Sequence, residues 1–418
     1  MNDARVAAKV RVQIRRFSGK LSEELPKTAR RMVGEVLHGI QSRGSVLLSE
    51  IARSLAEPVS LKKRIERLSR QLDRRGLDRA LSRSLLQEAG GKLDDEALLV
   101  VDPTDIVKPH GRRMPYLAQV RDGSEGELRE GYWCCLAVAA WRGRAEVVPL
   151  YQELYSQEAP CFVSENEQIL RAVRRVRRHA GKKGTWVMDR GGDRIKLLKP
   201  LLQEKIPFLI RMRGDRAVYF ARRRMIMERV AEQCPLRFRE TVVKETDKGE
   251  RIYQLDIGSR KVRLPGFERK LTLVVVRGFG QRPLMLLTTL EVTRSRKSHW
   301  RVVQAYLSRW RVEETIRFIK QSYQLEDIRL LSYRRLRSMA VLVMAAAYFA
   351  CAYLGRDIRL NLLLHRVYRA AKRVYGIPEF RFYAIADGMK NILFTRHWRT
   401  VPATGSDPPL NAALPFDS

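Results

Sequence analysis

ALLVVD, Ala97 to Asp102, is an unbroken run of apolar residues that stops on a carboxylate. A run this short, with paired valines at its end and a proline beyond, has the pattern of a strand buried on both faces. Downstream, YWCCLAVAAW (132–141) and AEVVPLYQEL (145–154) predict two more strands around the turn-like Arg142-Gly143-Arg144. ENEQILRAVRRVRRHA (165–180) predicts a helix, and TWVMD (185–189) a short strand ending on Asp189. A helix through IKLLKPLLQE (195–204) then leads to a fifth strand, FLIRMR (208–213).

Three strands, helix, strand, helix, strand suits an antiparallel meander followed by crossover connections. That is the order of an RNase H-like α/β fold. Its first and fourth strands are neighbours, so Asp102 and Asp189, each expected at a strand's C-terminal end, should meet at one edge.

The rest of the chain is organised around this core, expected at 92–213 and 299–355. Residues 214–298 break the rhythm with alternating segments (RIYQLDIG, KVRL, KLTLVVVRGF, PLMLLTTL) and one helix near Met225 to Gln233, a β-rich insertion. Residues 1–91 read as a helical, basic, DNA-binding domain, and 356–398 as a C-terminal helical region. The tail, 399–418, is expected to be disordered. Within the first domain, SVLLSEIARSLAEPVSLKKRIERLSRQL predicts two helices around a break at Glu57-Pro58. Lys62, Lys63 and Arg67 fall between the core positions of the second. This pair reads equally as a helix-turn-helix contacting DNA and as a solvated basic face.

Lys and Arg outnumber Asp and Glu by 81 to 46, a net charge of +35 in 418 residues. Such a charge opposes compaction unless a polyanion is bound, and nucleic acid is the commonest one. The first twenty residues contain no apolar core of a secretory signal. The longest uncharged apolar run, Met339 to Leu354, is shorter than a membrane span needs and reads as a buried core helix. The five cysteines show no C-x-x-C spacing and the six histidines no cluster, which argues against zinc and demands no oxidising compartment. The expectation is a soluble, cytoplasmic, nucleoid-associated protein with no membrane partner.

YLSRWRVEETIRFIK, Tyr306 to Lys320, sets two adjacent glutamates among basic residues. On one continuous helix at ~100° per residue, Tyr306, Arg309, Glu313 and Lys320 share a stripe roughly 60° wide, and Glu314 falls outside it. Arg309–Glu313 and Glu313–Arg317 are also ordinary i,i+4 pairs, worth only ~0.2–0.5 kcal/mol each. Asp102 and Asp189, taken singly, are credible turn or cap residues. Three acids from two strand ends and one later helix are harder to explain structurally. Two negative charges 4 Å apart repel by about 4 kcal/mol at an effective dielectric of 20, and divalent cations reverse that sign. Hard oxygen ligands suit two Mg²⁺ ions, with Mn²⁺ a substitute.

The same stretch fits Y-x₂-R-x₃-E-x₆-K, and here the chain resembles bacterial insertion-sequence transposases of the DDE type. V-V-D-P-T and V-M-D-R-G-G-D resemble that family's two aspartate motifs, and the insertion before the Glu-bearing helix is where the family places one. The resemblance implies that Asp102, Asp189 and Glu313 are the catalytic metal ligands. It implies that Tyr306, Arg309 and Lys320 contact transposon-end DNA, and that a homodimer on DNA cuts and joins terminal inverted repeats and target DNA. Arg211 and Arg213, at the end of the fifth strand, read equally as lining the DNA path and as solvated strand-end residues. Hairpin-forming members hold a flipped base with a tryptophan from the insertion, where PLMLLTTL has Met285 and no tryptophan. Two alternatives stay open: a nuclease of this fold without strand transfer, and a catalytically inactive DNA-binding derivative.

Overall fold

The computed structural model describes residues 3–109, 111, 113–123, 125–246, 249–370, 380–394 and 398, with side chains throughout except at 244–246, 249–250 and 365–370. The tail expected to be disordered, 399–418, lies outside the described residues.

Five helices lead: α1 (Asp3–Leu21), α2 (Lys27–Arg43), α3 (Leu48–Arg53), α4 (Leu61–Leu72) and α5 (Leu77–Gly90). The first buries Val6, Val10, Ile14, Phe17 and Leu21, a helical-period stripe. The break at Glu57-Pro58 separates α3 from α4, and the Ser60 side chain caps α4 by accepting from the Lys63 N–H. Between α2 and α4 lies a closed ion network. Glu35 pairs with Arg31 (2.7 Å) and Arg67 (2.6 Å), and Glu57 pairs with the same two arginines at 2.8 Å each. Arg67 thus joins α4 to α2.

Next come β1 (Leu98–Val107), β2 (Ala118–Arg121), β3 (Leu128–Ala140) and β4 (Val147–Tyr155), then α6 (Glu165–His179), β5 (Thr185–Met188), α7 (Ile195–Gln203) and β6 (Phe208–Arg211). β3 is antiparallel to both β1 and β4, whereas β5 is parallel to β1 and β6 is parallel to β5. The spatial order β4-β3-β1-β5-β6 is the RNase H-like one. β1 is longer than ALLVVD suggested, because pairing with β3 carries it to Val107. The short β2, which sequence patterning missed, adds to the lower half of β3.

The insertion contains a two-stranded ribbon, β7 (Ala217–Phe220) and β8 (Arg223–Ile226), followed by α8 (Met227–Glu232). β9 (Leu236–Thr246), β10 (Gly249–Val262), β11 (Leu271–Arg277) and β12 (Leu284–Thr288) then pair in sequence. RIYQLDIG and the first two residues of KVRL are one strand, β10, with a register shift at Gly258. A Cβ at Gly258 would lie 2.2 Å from the Pro235 carbonyl oxygen, so only glycine fits there. β12 returns to pair antiparallel with β6. The insertion therefore extends the core sheet, and ten strands form one sheet among the described residues.

α9 (Arg296–Leu307) and α10 (Trp310–Tyr323) follow, then α11 (Tyr333–Tyr348), α12 (Arg356–Ala370) and α13 (Phe382–Leu393). α11 runs on through a π-turn, Phe349–Tyr353, so the apolar helix is longer than expected, at 21 residues. It is long and apolar enough to cross a membrane. Its most apolar 18 residues are nonetheless 83% buried within the chain, against β4, α5 and α2, as a core helix would be.

Candidate active site

The parallel register of β1 and β5 sets Leu98 beside Thr185, Leu99 beside Trp186 and Val100 beside Val187. Two residues further along each strand come Asp102 and Asp189, so the register brings the two acids level. β5 stops at Met188 while β1 continues along β3, leaving Asp102 at the fork between them. Asp102 is therefore inside a strand, contrary to the expectation that it ends one. Pro103 is tolerated there because β1 has lost its partner on the β5 side, where no N–H is needed. Asp189 follows its strand directly, and its Oδ1 accepts the Gly191 N–H at 2.7 Å, which fixes the carboxylate without using Oδ2.

Glu313 reaches the acids from α10. The stretch Tyr306–Lys320 is two helices, contrary to the single stripe expected. At the junction the Arg309 N–H bonds to the Tyr306 carbonyl, and the Arg311 and Val312 N–H groups to those of Ser308 and Arg309. These i→i+3 bonds overwind the chain to nearer 120° per residue, so the regular helical projection fails there. Tyr306 ends up buried, 7% exposed, on α9. Arg317 pairs with Glu314 at 2.6 Å, and not with Glu313 as expected.

Arg309 is the link that remains. Its Nη1 lies 3.5 Å from Asp102 Oδ2, and its Nη2 donates to Glu313 Oε1. One guanidinium thus serves two carboxylates on different elements. Burial opposes its charge, but Glu313 holds its pKa above the usual arginine value. The Asp102 carboxyl is pushed up to about 7, foremost by loss of hydration and then by the charge of Asp189. Arg309 opposes that rise and Glu313 adds to it. Asp102 still keeps 25% of its side-chain surface, and Glu313 keeps 53%. Both line an open cleft of about 1040 Å³, with Trp133, Arg121, Arg317 and Lys320 on its walls. Asp189 does not line it.

Lys320 is held on the far wall by Asp105 (3.2 Å) and Glu326 (2.9 Å). Burial works against its charge, and Glu326 and Asp105 raise its pKa nonetheless. The turn carrying Glu326 is pinned from β1's end, where Lys108 Nζ donates to the Ile328 carbonyl at 3.1 Å and to that of Glu326.

Residues 94–349, which span both aspartates, the insertion and Glu313, match the family model of the transposase DDE domain. The chain belongs to the DDE transposase family. Among solved structures it is similar to a piggyBac transposase synaptic complex with hairpin DNA, with 11% identity and a TM-score of 0.46, over 93% of this chain and 77% of that one. No curated protein matches.

Among the described residues of this DDE transposase, no three acidic, histidine or cysteine side chains close around one point. The donor chemistry still fits a hard divalent cation. Asp102, Asp189 and Glu313 offer oxygen only, and a cation of the chain itself, Arg309, already stands between two of them. The other residues singled out in the sequence are placed as follows. Lys62 and Lys63 are exposed on α4, whereas Arg67 is committed to the Glu35–Glu57 network. Arg211 closes β6, half-buried and opposite Leu286 of β12. Sequence reasoning missed Asp105 and Glu326, the partners of Lys320. Asp105 is the second acid of D-P-T-D, and that repeat was the signal to follow; Glu326 sits in no pattern. Asp193, the second acid of D-R-G-G-D, stands two residues before α7, where it accepts the Arg213 N–H at 2.9 Å and pairs with Arg216.

Proposed function

We propose that this DDE transposase binds the terminal inverted repeats of its insertion sequence as a homodimer, cuts there and joins the ends to target DNA. Asp102, Asp189 and Glu313 carry the reaction. The observation that most supports this reading is the level placement of Asp102 and Asp189, with Glu313 tied to Asp102 through a shared arginine. Water attacks a phosphodiester and a 3′-OH leaves; that hydroxyl then attacks a second phosphate and displaces another 3′-oxygen. Two Mg²⁺ ions, or Mn²⁺, held by the three carboxylates, supply Lewis-acid polarisation of the scissile phosphate when bound.

The chain's own residues do the remaining work. Arg309 and Lys320 change partners from carboxylates to DNA phosphates, which positions the strand and offsets its charge. Tyr306, buried beneath this junction, shapes the wall behind Arg309, and Arg211 extends the path along β6. Lys62 and Lys63 meet the DNA backbone farther from the cut, while Arg67 keeps their helix in place. The protein acts in the cytoplasm, on nucleoid DNA.

The test is incubation of purified protein with DNA carrying the repeats that flank its gene, plus Mg²⁺ or Mn²⁺. Cut ends together with joined strand-transfer product are expected. Cut ends alone would make it a nuclease, and binding without either product would make it an inactive derivative.

A further inference from the structure

The β7–β8 ribbon lies outside the site just described, and its turn is unusual. Ala221 (φ 47°) and Arg222 (φ 65°) both adopt the left-handed conformation. Two-residue hairpin turns that need φ > 0 at both centres ordinarily use Asn or Gly there. Here an arginine occupies a strained position at the tip, where nothing in the packing requires a side chain. Arg222, Arg223 and Arg224 are all exposed, and among the described residues no carboxylate pairs with them. The neighbouring arginines differ: Arg216, just before β7, is paired with Asp193, and Arg263, which bridges to Tyr219 from beyond β10, with Glu268.

The ribbon is held firmly at both sides. Arg216 also donates to the Asp193 carbonyl at 3.0 Å, which anchors the ribbon to the loop following Asp189. On the side of β7 away from β8, Tyr219 and Arg263 exchange backbone hydrogen bonds of 2.8 and 3.0 Å. The register pairs Phe220 with Arg223 and Tyr219 with Arg224. Paired residues share a face and adjacent pairs take opposite faces. One face therefore carries Phe220 and Arg223, with Arg260 stacked over the ring at 5.4 Å. The other carries Tyr219 and Arg224, with Arg263 over its ring at 5.9 Å. Arg222 stands at the tip between them.

We propose that this ribbon is a second DNA contact, a finger that enters a groove of the duplex beside the Asp189 loop and binds phosphates on both walls. A two-stranded ribbon fits the major groove of B-DNA, and arginines on opposite faces reach opposite backbones. The assignment rests on the chain's being a DNA-binding transposase, and it adds to that reading a contact carried by the insertion, on an element other than α10.

The test is duplex binding by the full chain in chelator, measured as affinity against salt concentration. Arg222→Gln/Arg223→Gln/Arg224→Gln should lower the log–log salt slope by about 2 to 3 and weaken binding on the order of 100-fold at 0.1 M salt. Lys182→Gln/Lys199→Gln/Lys205→Gln removes the same charge from exposed positions around α7 and should leave the slope within about 1 of wild type. Arg222→Gly alone should raise the melting temperature, by relieving the turn, while lowering the slope by about 1. Equal slopes and affinities for the two triple variants would overturn the proposal. The assay reads binding, so a protein that binds through the ribbon yet never cuts defeats the catalytic reading and leaves this one standing.

Discussion

Two clusters of acid and arginine in this molecule look alike and behave differently. Between α2 and α4, Glu35 and Glu57 share Arg31 and Arg67, two negative charges against two positive ones, in contacts of 2.6 to 2.8 Å. At the fork of β1 and β5, Asp102 and Glu313 share a single arginine, one of whose contacts is 3.5 Å long, and Asp189 adds a third acid beside them. The first cluster is balanced and closed, with Glu35 fully buried. The second is over-acidic and borders a cleft, and Asp102 is pushed up to about 7, first by loss of hydration and then by the charge of Asp189. A balanced cluster is complete as part of the fold. An unbalanced one gains stability when a proton or a cation binds to it, which is what a metal-dependent site requires.

The contrast can be broken most severely at Glu35. Glu35→Ala leaves two arginines on Glu57 alone and should cost about 3–5 kcal/mol of stability, seen as a large fall in denaturation midpoint. Asp102→Asn should do the reverse. Cutting should drop by about 100-fold or more, roughly 2.7 kcal/mol, while stability holds or rises because a repelled charge is gone. The pH dependence sharpens this. Asp102 titrates near 7 when folded and near ~3.9 when unfolded, so the folded state binds the extra proton between those values. Stability of the chelated wild type should therefore decline as pH rises from about 4 to 7, and Asp102→Asn should lose that part of the decline in parallel denaturation curves.

A smaller effect separates residues on one helix. Lys62→Gln/Lys63→Gln should reduce the salt slope of DNA binding by about 2 with no change in melting temperature. Arg67→Gln should chiefly destabilise the protein, because its charge is spent on Glu35 and Glu57. Least of all, Glu314→Gln removes one i,i+3 pair with Arg317 and should shift stability by about 0.5 kcal/mol at most.

The core was legible because its strands are buried on both faces, which forces continuous apolar runs such as ALLVV and TWVM. Their order then implied the pairing that sets Asp102 beside Asp189. β9 was not legible: LRFRETVVKET lies at the sheet's edge and carries charge along its length. The helix break at Ser308 and Arg309 left no signal either, since neither glycine nor proline marks it and both residues keep helical torsions. For that reason the face shared by Arg309, Glu313 and Lys320 was anticipated while the burial of Tyr306 was not. Asp105 and Asp193 were passed over because a second acid in a turn reads as a cap, whereas both fold back onto distant basic partners.

The most direct measurement compares Glu313→Gln with Glu314→Gln on DNA carrying the element's ends, in Mg²⁺ or Mn²⁺, with gel shifts to confirm that each still binds. The expected result is that Glu313→Gln binds and does not cut, while Glu314→Gln does both. Normal cutting by Glu313→Gln would reduce that glutamate to a helix salt bridge with Arg309 and contradict the account of the site.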